Sequence, residues 1–455
     1  MHIDVAPTTG AYSLEQFIDD QQIGAPHRWM LLVCALVMWV DAFDSFVVGK
    51  IAPAIAAGFH VTSAAMTSVF LIQQIGLAAG AFAATLLADR YGRQRMIVIS
   101  IGAFGVFSLL SAFATSLRAF AVLRGFGGLF LTAVLPMVVA LLAESVPRRR
   151  RGTYISIAFV AYSAGSAAGG VLAVWLLEHF GWPAVFMFGG VVPLLLVPLV
   201  LLVVPESSLF LVEVGAPPER IRSNLLRLQP NADIPAIALF RRSGTSKPTA
   251  WGGIRTLFDG DYRLKTFFIW AATFLSMGSI ALLGAWLPTF FQEMAGIPIK
   301  QFALYSLIGF IGGLAGSLTS GWFLDRTSAT TVVPIYYVGL CFTLIILGWL
   351  WADTAIFVGT IVLFNFFQTG GQAVLNVLMS QVYPTAVRTT GIGWSGGMGR
   401  IGGVILPLFG GLALERHYSI GITMTMIAAI PLGVVLSIGL LRTVALRLPA
   451  IQRLT

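Results

Sequence analysis

Twelve long, continuously apolar runs leave this chain little choice of fold. They fall near 29–58, 64–88, 96–117, 119–145, 153–178 and 182–204, then 264–290, 302–324, 331–351, 354–382, 389–413 and 418–443. A helix needs about 20 apolar residues to cross the hydrocarbon core of a bilayer, and every run supplies them. A closed β-barrel would alternate apolar and polar residues along each strand, and these runs do not alternate. The expected fold is therefore all-α and integral to the membrane, with twelve transmembrane helices. Composition agrees, because only 10% of the 455 residues are charged, against about a quarter in a soluble domain. That excludes a soluble enzyme, a nucleic-acid-binding domain and a disordered chain. The net charge of +9 implies no nucleic-acid partner, since basic loops follow from membrane topology.

Orientation follows from lysine and arginine counts. The even-to-odd connections hold eighteen bases, among them Arg90, Arg93, Arg95, Arg148, Arg149, Arg150, Arg151, Arg326 and Arg388. The opposite connections hold few: Arg118, Lys300 and Arg416. The basic side is expected to be cytoplasmic, which puts both termini inside. Residues 1–28 are polar, without the basic start and short apolar core of a cleavable signal, and are expected to form a cytoplasmic tail. Five segments result: that tail, six helices over 29–204, a cytoplasmic loop over 205–263, six helices over 264–443 and a cytoplasmic tail over 444–455. Within the loop, Pro217-Pro218 followed by 219–227 predicts a short proline-started helix; the rest is expected to be a solvated linker.

The two halves repeat each other. Leu87-Ala88-Asp89-Arg90 follows the second run and Phe323-Leu324-Asp325-Arg326 the eighth, an offset of 236. Pro147 with Arg151 follows the fourth run and Pro384 with Arg388 the tenth, an offset of 237. Two markers at nearly one offset argue for a duplicated six-helix unit, hence two pseudo-symmetric bundles. Such repeats imply a transporter whose site lies between the halves near mid-membrane.

Charges inside a bilayer are costly, roughly 2.5–3.5 kcal/mol each on insertion scales, so each is a candidate for function. Asp41 and Asp44 lie three apart near the middle of helix 1 and share a face. Two carboxylates that close in a low dielectric do not both ionise easily, so one can load and release a proton. They are either the proton-coupling pair or static ion-pair partners. Arg400 in helix 11 and Arg124 in helix 4 can each grip a carboxylate with two parallel hydrogen bonds; the alternative is a structural pair with Asp41, Asp44 or Glu144. Lys50 lies six residues beyond Asp44, about 9 Å along the helix. It is either a second anion hook or a side chain reaching for the far interface.

Helix 10 carries Asn365, Gln368, Gln372 and Asn376 at intervals of 3, 4 and 4, an arc of about 80°. The stripe either binds substrate or ties helices together. Phe43, Phe46, Tyr162, Phe310, Phe364, Phe367 and Trp394 are candidates to sandwich a ring, Phe43 and Trp394 first because they adjoin the charged positions.

The residues also carry a family likeness. Gly80 through Arg95, with Asp89-Arg90-Tyr91-Gly92-Arg93-Gln94-Arg95, resembles the signature loop of the major facilitator superfamily. Asp41-Ala42-Phe43-Asp44, Arg124-Gly125-Phe126-Gly127, Pro205-Glu206-Ser207, Trp286-Leu287-Pro288-Thr289 and Gly399-Arg400-Ile401-Gly402-Gly403 resemble its aromatic acid:proton symporters. Ala42 departs from the glycine usual in the helix 1 motif, and Lys50 stands where an apolar or neutral residue is usual.

The resemblance implies proton-coupled uptake of an aromatic carboxylate across the inner membrane by alternating access. It implies a monomer in the lipid bilayer whose partners are the substrate and protons, driven by the proton gradient with no cofactor. It implies gating by Asp89, Arg90, Arg93, Glu144, Asp325, Arg326 and Arg388. Helix 5 lacks a proline within 165–170, which tilts towards symport rather than export. A dicarboxylate or a sugar or polyol is the alternative substrate.

Overall fold

The computed structural model describes residues 11–230, 239–241, 257–258, 262–383 and 388–447. Among the described residues the regular structure is helical apart from one pair of three-residue parallel strands, Ala11–Ser13 with Leu239–Arg241. Among the described residues, twelve helical stretches are long and apolar enough to cross a membrane. In order, spans 1 to 6 are Ala25–Lys50, Met66–Tyr91, Arg93–Ser111, Leu117–Leu131 continued by Val134–Ser145, Arg148–Phe180 and Trp182–Val203. Spans 7 to 12 are Tyr262–Ala295, Ile299–Leu324, Ala329–Trp349, Thr354–Val382, Arg388–Ile405 continued by Leu408–Glu415, and Ile420–Arg447.

Three runs that look uninterrupted are broken. Span 1 ends at Lys50 and a separate helix, Ala52–Gly58, follows a non-helical Ile51. There Pro53 occupies one of the first positions of the new helix, where its missing N–H costs nothing. Span 4 breaks after Leu131, because Pro136 cannot donate to the carbonyl of Thr132 and its ring crowds that carbonyl. Span 11 breaks before Leu408 for the same reason at Pro407, whose own carbonyl accepts the Trp286 indole N–H at 2.8 Å.

Within the first half span 1 packs on 5, 2 on 4 and 3 on 6; within the second, 7 packs on 11, 8 on 10 and 9 on 12. The repeat extends to single contacts. A Cβ on Gly165 of span 5 would strike the carbonyl oxygen of Trp39 in span 1, and one on Gly402 of span 11 would strike that of Phe274 in span 7. These glycines lie 237 apart, the offset of the sequence markers. Backbones that approach this closely leave no room for a side chain.

The halves meet where spans 5 and 8, 1 and 7, and 2 and 11 touch. Ties between them gather at mid-membrane and at the end away from the termini. There Lys300 Nζ lies 3.0 Å from Glu178 Oε2, and the Ser63 hydroxyl donates to the Glu293 carboxylate. The Phe70 and Trp286 rings meet edge to face at 4.9 Å.

Two expectations need correction at the opposite end. The described parts of the polar tail and the linker are not simply solvated. Helices Leu14–Asp19, Ser208–Glu213 and Pro218–Leu228 bury Leu14, Ile18, Phe210, Leu211, Ile221 and Leu225 against one another. The run Arg148, Arg149, Arg150, Arg151 is the first turn of span 5 rather than a loop. Cations there oppose the helix dipole. Asp19 offsets this by accepting the Arg148 backbone N–H at 2.9 Å and approaching its Nε at 3.1 Å.

Candidate functional site

A cavity in two lobes lies between the halves. The first lobe, about 420 Å³, is lined by Asp41, Gln73, Gln74, Thr132 and Arg400 among apolar neighbours. The second, about 490 Å³, is lined by Lys50, Ser163, Ser166, Phe310, Phe364 and the whole stripe Asn365, Gln368, Gln372 and Asn376. Phe46 and Tyr162 line both, their rings edge to face with centroids 6.4 Å apart. Each lobe is of the size that holds small organic ligands.

The two aspartates of span 1 have separate fates. Asp44 is 1% exposed and gripped by Arg124, Nη1 to Oδ1 at 3.0 Å and Nη2 to Oδ2 at 2.6 Å. The Ser108 hydroxyl donates to Asp44 Oδ1 at 3.0 Å, and the guanidinium lies 5.4 Å from the centroid of the Phe186 ring. Arg124 is itself 1% exposed and lines neither lobe. The structure thus places it in an ion pair and away from the cavity, against its expected place at the substrate. Asp41 lines the first lobe, and its buried Oδ1 has no hydrogen-bond partner.

Arg400 shares that lobe. It donates from Nη1 to Thr132 Oγ1 at 2.9 Å and, weakly, to the Leu77 carbonyl at 3.5 Å. Among the described residues no carboxylate lies within 4 Å of it. A guanidinium facing a cavity inside the membrane with neutral oxygens for company is an anion site in electrostatic terms.

Lys50 turns inward rather than to the interface. Its Nζ donates to the Ser166 carbonyl of span 5, in space left open by Gly170. In the helix 10 stripe, Gln372 accepts from Ser276 and donates to Asn376 at 2.9 Å, Asn365 donates to the Ile361 carbonyl at 2.9 Å, and Gln368 Oε1 is buried without a partner. The stripe therefore ties helices and faces the cavity at once.

Two aromatic expectations need correction. Phe43 is buried beside Trp39 and Phe188 and lines neither lobe. Trp394 is exposed and stacks on Trp270. Phe43 directly precedes Asp44, but neighbours in a helix point about 100° apart, and Trp394 lies six residues from Arg400, about 120° away around the helix.

Of the gate set, Arg93 Nη2 lies 3.1 Å from Glu144 Oε1. Asp325 and Arg326 are exposed, Arg326 over the Trp322 ring at 3.8 Å, and Arg90 is exposed beside Tyr91. The side chains of Asp89 and Arg388, and Pro384 itself, lie outside the described residues.

Sequence reasoning missed Glu206 as a working residue. Its Oε1 accepts the backbone N–H groups of Arg93 at 2.7 Å, Gln94 at 3.0 Å and Ser207 at 2.9 Å, capping the start of span 3. The Ser207 hydroxyl in turn donates to Glu144. The available signal was an acid directly after an apolar run. Gln73 and Gln74 were missed too, although two adjacent amides inside span 2 break its apolar run. Gln74 Nε2 crosses to the Gly403 carbonyl at 2.9 Å.

The model of the Major Facilitator Superfamily matches residues 34–407 and 269–452. The chain belongs to that superfamily. It is 34% identical over 426 residues to the gallate transporter of Pseudomonas putida, covering 92% of this chain and 93% of that one. It is 29% identical to the 4-hydroxybenzoate transporter PcaK of Acinetobacter baylyi, covering 93% of each. The inward-open xylose transporter XylE from E. coli superposes with a TM-score of 0.69 at 16% identity, over 91% of this chain and 95% of that one. Major facilitator membership makes this a multi-pass membrane transporter and not an enzyme.

Proposed function

We propose that this major facilitator carries an aromatic carboxylate inward with one or more protons by alternating access. The observation that carries the reading is Arg400, a cavity-facing guanidinium bonded to neutral oxygens in the lobe that also holds the unpartnered Asp41. Arg400 grips the substrate carboxylate, and Phe46 and Tyr162 supply the ring's apolar wall. Asp41 takes up and releases the proton, while Asp44 stays clamped by Arg124. The relatives support the substrate class, since gallate and 4-hydroxybenzoate are aromatic carboxylates.

The halves 29–204 and 264–443 rock against each other as two bodies in an inner membrane, with both termini cytoplasmic. The far end, tied by Glu178 with Lys300 and by Ser63 with Glu293, is the periplasmic gate and is shut here. Arg93, Glu144 and Glu206 belong to the cytoplasmic gate, together with Asp89, Arg90, Asp325, Arg326 and Arg388. The chain works as a monomer on the proton gradient alone.

Uptake of labelled 4-hydroxybenzoate, benzoate and a neutral sugar into proteoliposomes under an inside-alkaline pH gradient tests this. Aromatic-acid uptake should collapse with a protonophore and fall about tenfold or more in Arg400→Ala, the loss of hydrogen bonds to a charged group. Asp41→Asn should lose gradient-driven accumulation yet keep exchange of labelled for unlabelled substrate. Uptake of the sugar alone, or uptake indifferent to the pH gradient, would overturn the reading.

A further inference from the structure

The charged residues along the two lobes are Asp41, Arg400 and Lys50. One cation therefore sits in each lobe, on either side of the wall formed by Phe46 and Tyr162. Lys50 is held in place by construction. Gly170 of span 5 lacks the side chain that would collide with its stem, and the Ser166 carbonyl one turn earlier receives its nitrogen. Among the described residues no carboxylate lies within 4 Å of it, and no acid lines its lobe. The C-terminal end of span 1 attracts a cation, but with partial charge only. The rest of the polar lining is amide and hydroxyl, including Gln368 with its unpartnered buried oxygen.

A substrate with one carboxylate satisfies Arg400 and leaves Lys50 charged and unpaired in the membrane interior. A ring with two anionic groups satisfies both. The balance closes when Asp41 carries its proton, because two cations then face two anions. We propose that the cavity takes an aromatic dianion, a benzene ring whose two carboxylates lie on different sides, Arg400 holding one and Lys50 the other. The inference rests on the aromatic-acid reading of the site and deepens it.

Binding to the full-length chain in detergent or proteoliposomes, measured with benzoate, 4-hydroxybenzoate and the 1,2-, 1,3- and 1,4-benzenedicarboxylates, tests it. The wild type should bind the 1,3- or 1,4-dicarboxylate about tenfold or more tighter than benzoate, the increment of a second charged hydrogen bond. Lys50→Met should erase that ratio with benzoate affinity nearly unchanged, and Lys50→Arg should keep it. The wild-type ratio alone decides the matter should Lys50→Met fail to fold. Dicarboxylates no tighter than benzoate would overturn the proposal, as would 4-hydroxybenzoate outranking them or a parallel loss of all ligands in Lys50→Met. In each of those cases aromatic acids still bind and the broader reading stands. If no aromatic acid binds at all, both fall together.

Discussion

Asp41 and Asp44 sit on one face of one helix, yet one is locked and the other free. The difference is made by Arg124, which lies 80 residues further along the chain. Removing one partner of a buried ion pair strands the other without water, which typically costs about 3–5 kcal/mol. Arg124→Ala should therefore lower the melting temperature sharply, whereas Arg124→Met combined with Asp44→Leu should recover much of it. A double variant as unstable as the single would mean that the pair does more than satisfy itself. At this scale the sequence was informative about which residues matter and silent about which of them meet. Intramembrane charges stand out in any apolar run. Whether a given arginine meets an acid, as Arg124 does, or a cavity, as Arg400 does, depends on how helices rotate against each other. Phe43 and Trp394 were misplaced for the same reason.

The elements were the most legible level, because hydropathy registers a span directly. The breaks in spans 4 and 11 were harder to see. Apolar residues continue across them, and only Pro136 and Pro407 betray them. The break in span 4 leaves Thr132 beside Arg400, so a local backbone defect shapes the first lobe. Helix ends also need partners that hydropathy does not reveal. Glu206 caps span 3 from beyond span 6, a join invisible until the helices are assembled. Glu206→Ala should lower thermal stability by about 1.5–3 kcal/mol, the range for hydrogen bonds to a charged group. Glu206→Gln should recover part of that, since an amide oxygen still accepts. Equal losses in the two variants would exclude the cap as the cause.

The whole molecule is a duplication whose two copies were legible from an offset of 236 to 237 residues, and Gly165 and Gly402 repeat it in three dimensions. The cluster built from residues 14–18, 210–211 and 221–225 was not legible, because short segments far apart in sequence each look too polar to have a core. Between the halves, the pair Glu178 and Lys300 is 37% and 64% exposed, so it contributes about 1 kcal/mol at most. Lys300→Glu should therefore raise labelling of a cysteine placed on the far-end seam only a few-fold, and Lys300→Glu with Glu178→Lys should restore the original level. No change in labelling would remove the pair from the gate. The tighter join is at Gly49, where a side chain would collide with the backbone of Gly284 and Ala285 in the other half. Any larger residue there acts as a doorstop. A carrier propped open at one mouth while the other opens in its turn is a hole, and a hole in an energised membrane runs down the voltage for every other machine in it. On the rocking mechanism proposed above, a position with no side chain thus answers for the cell's power supply.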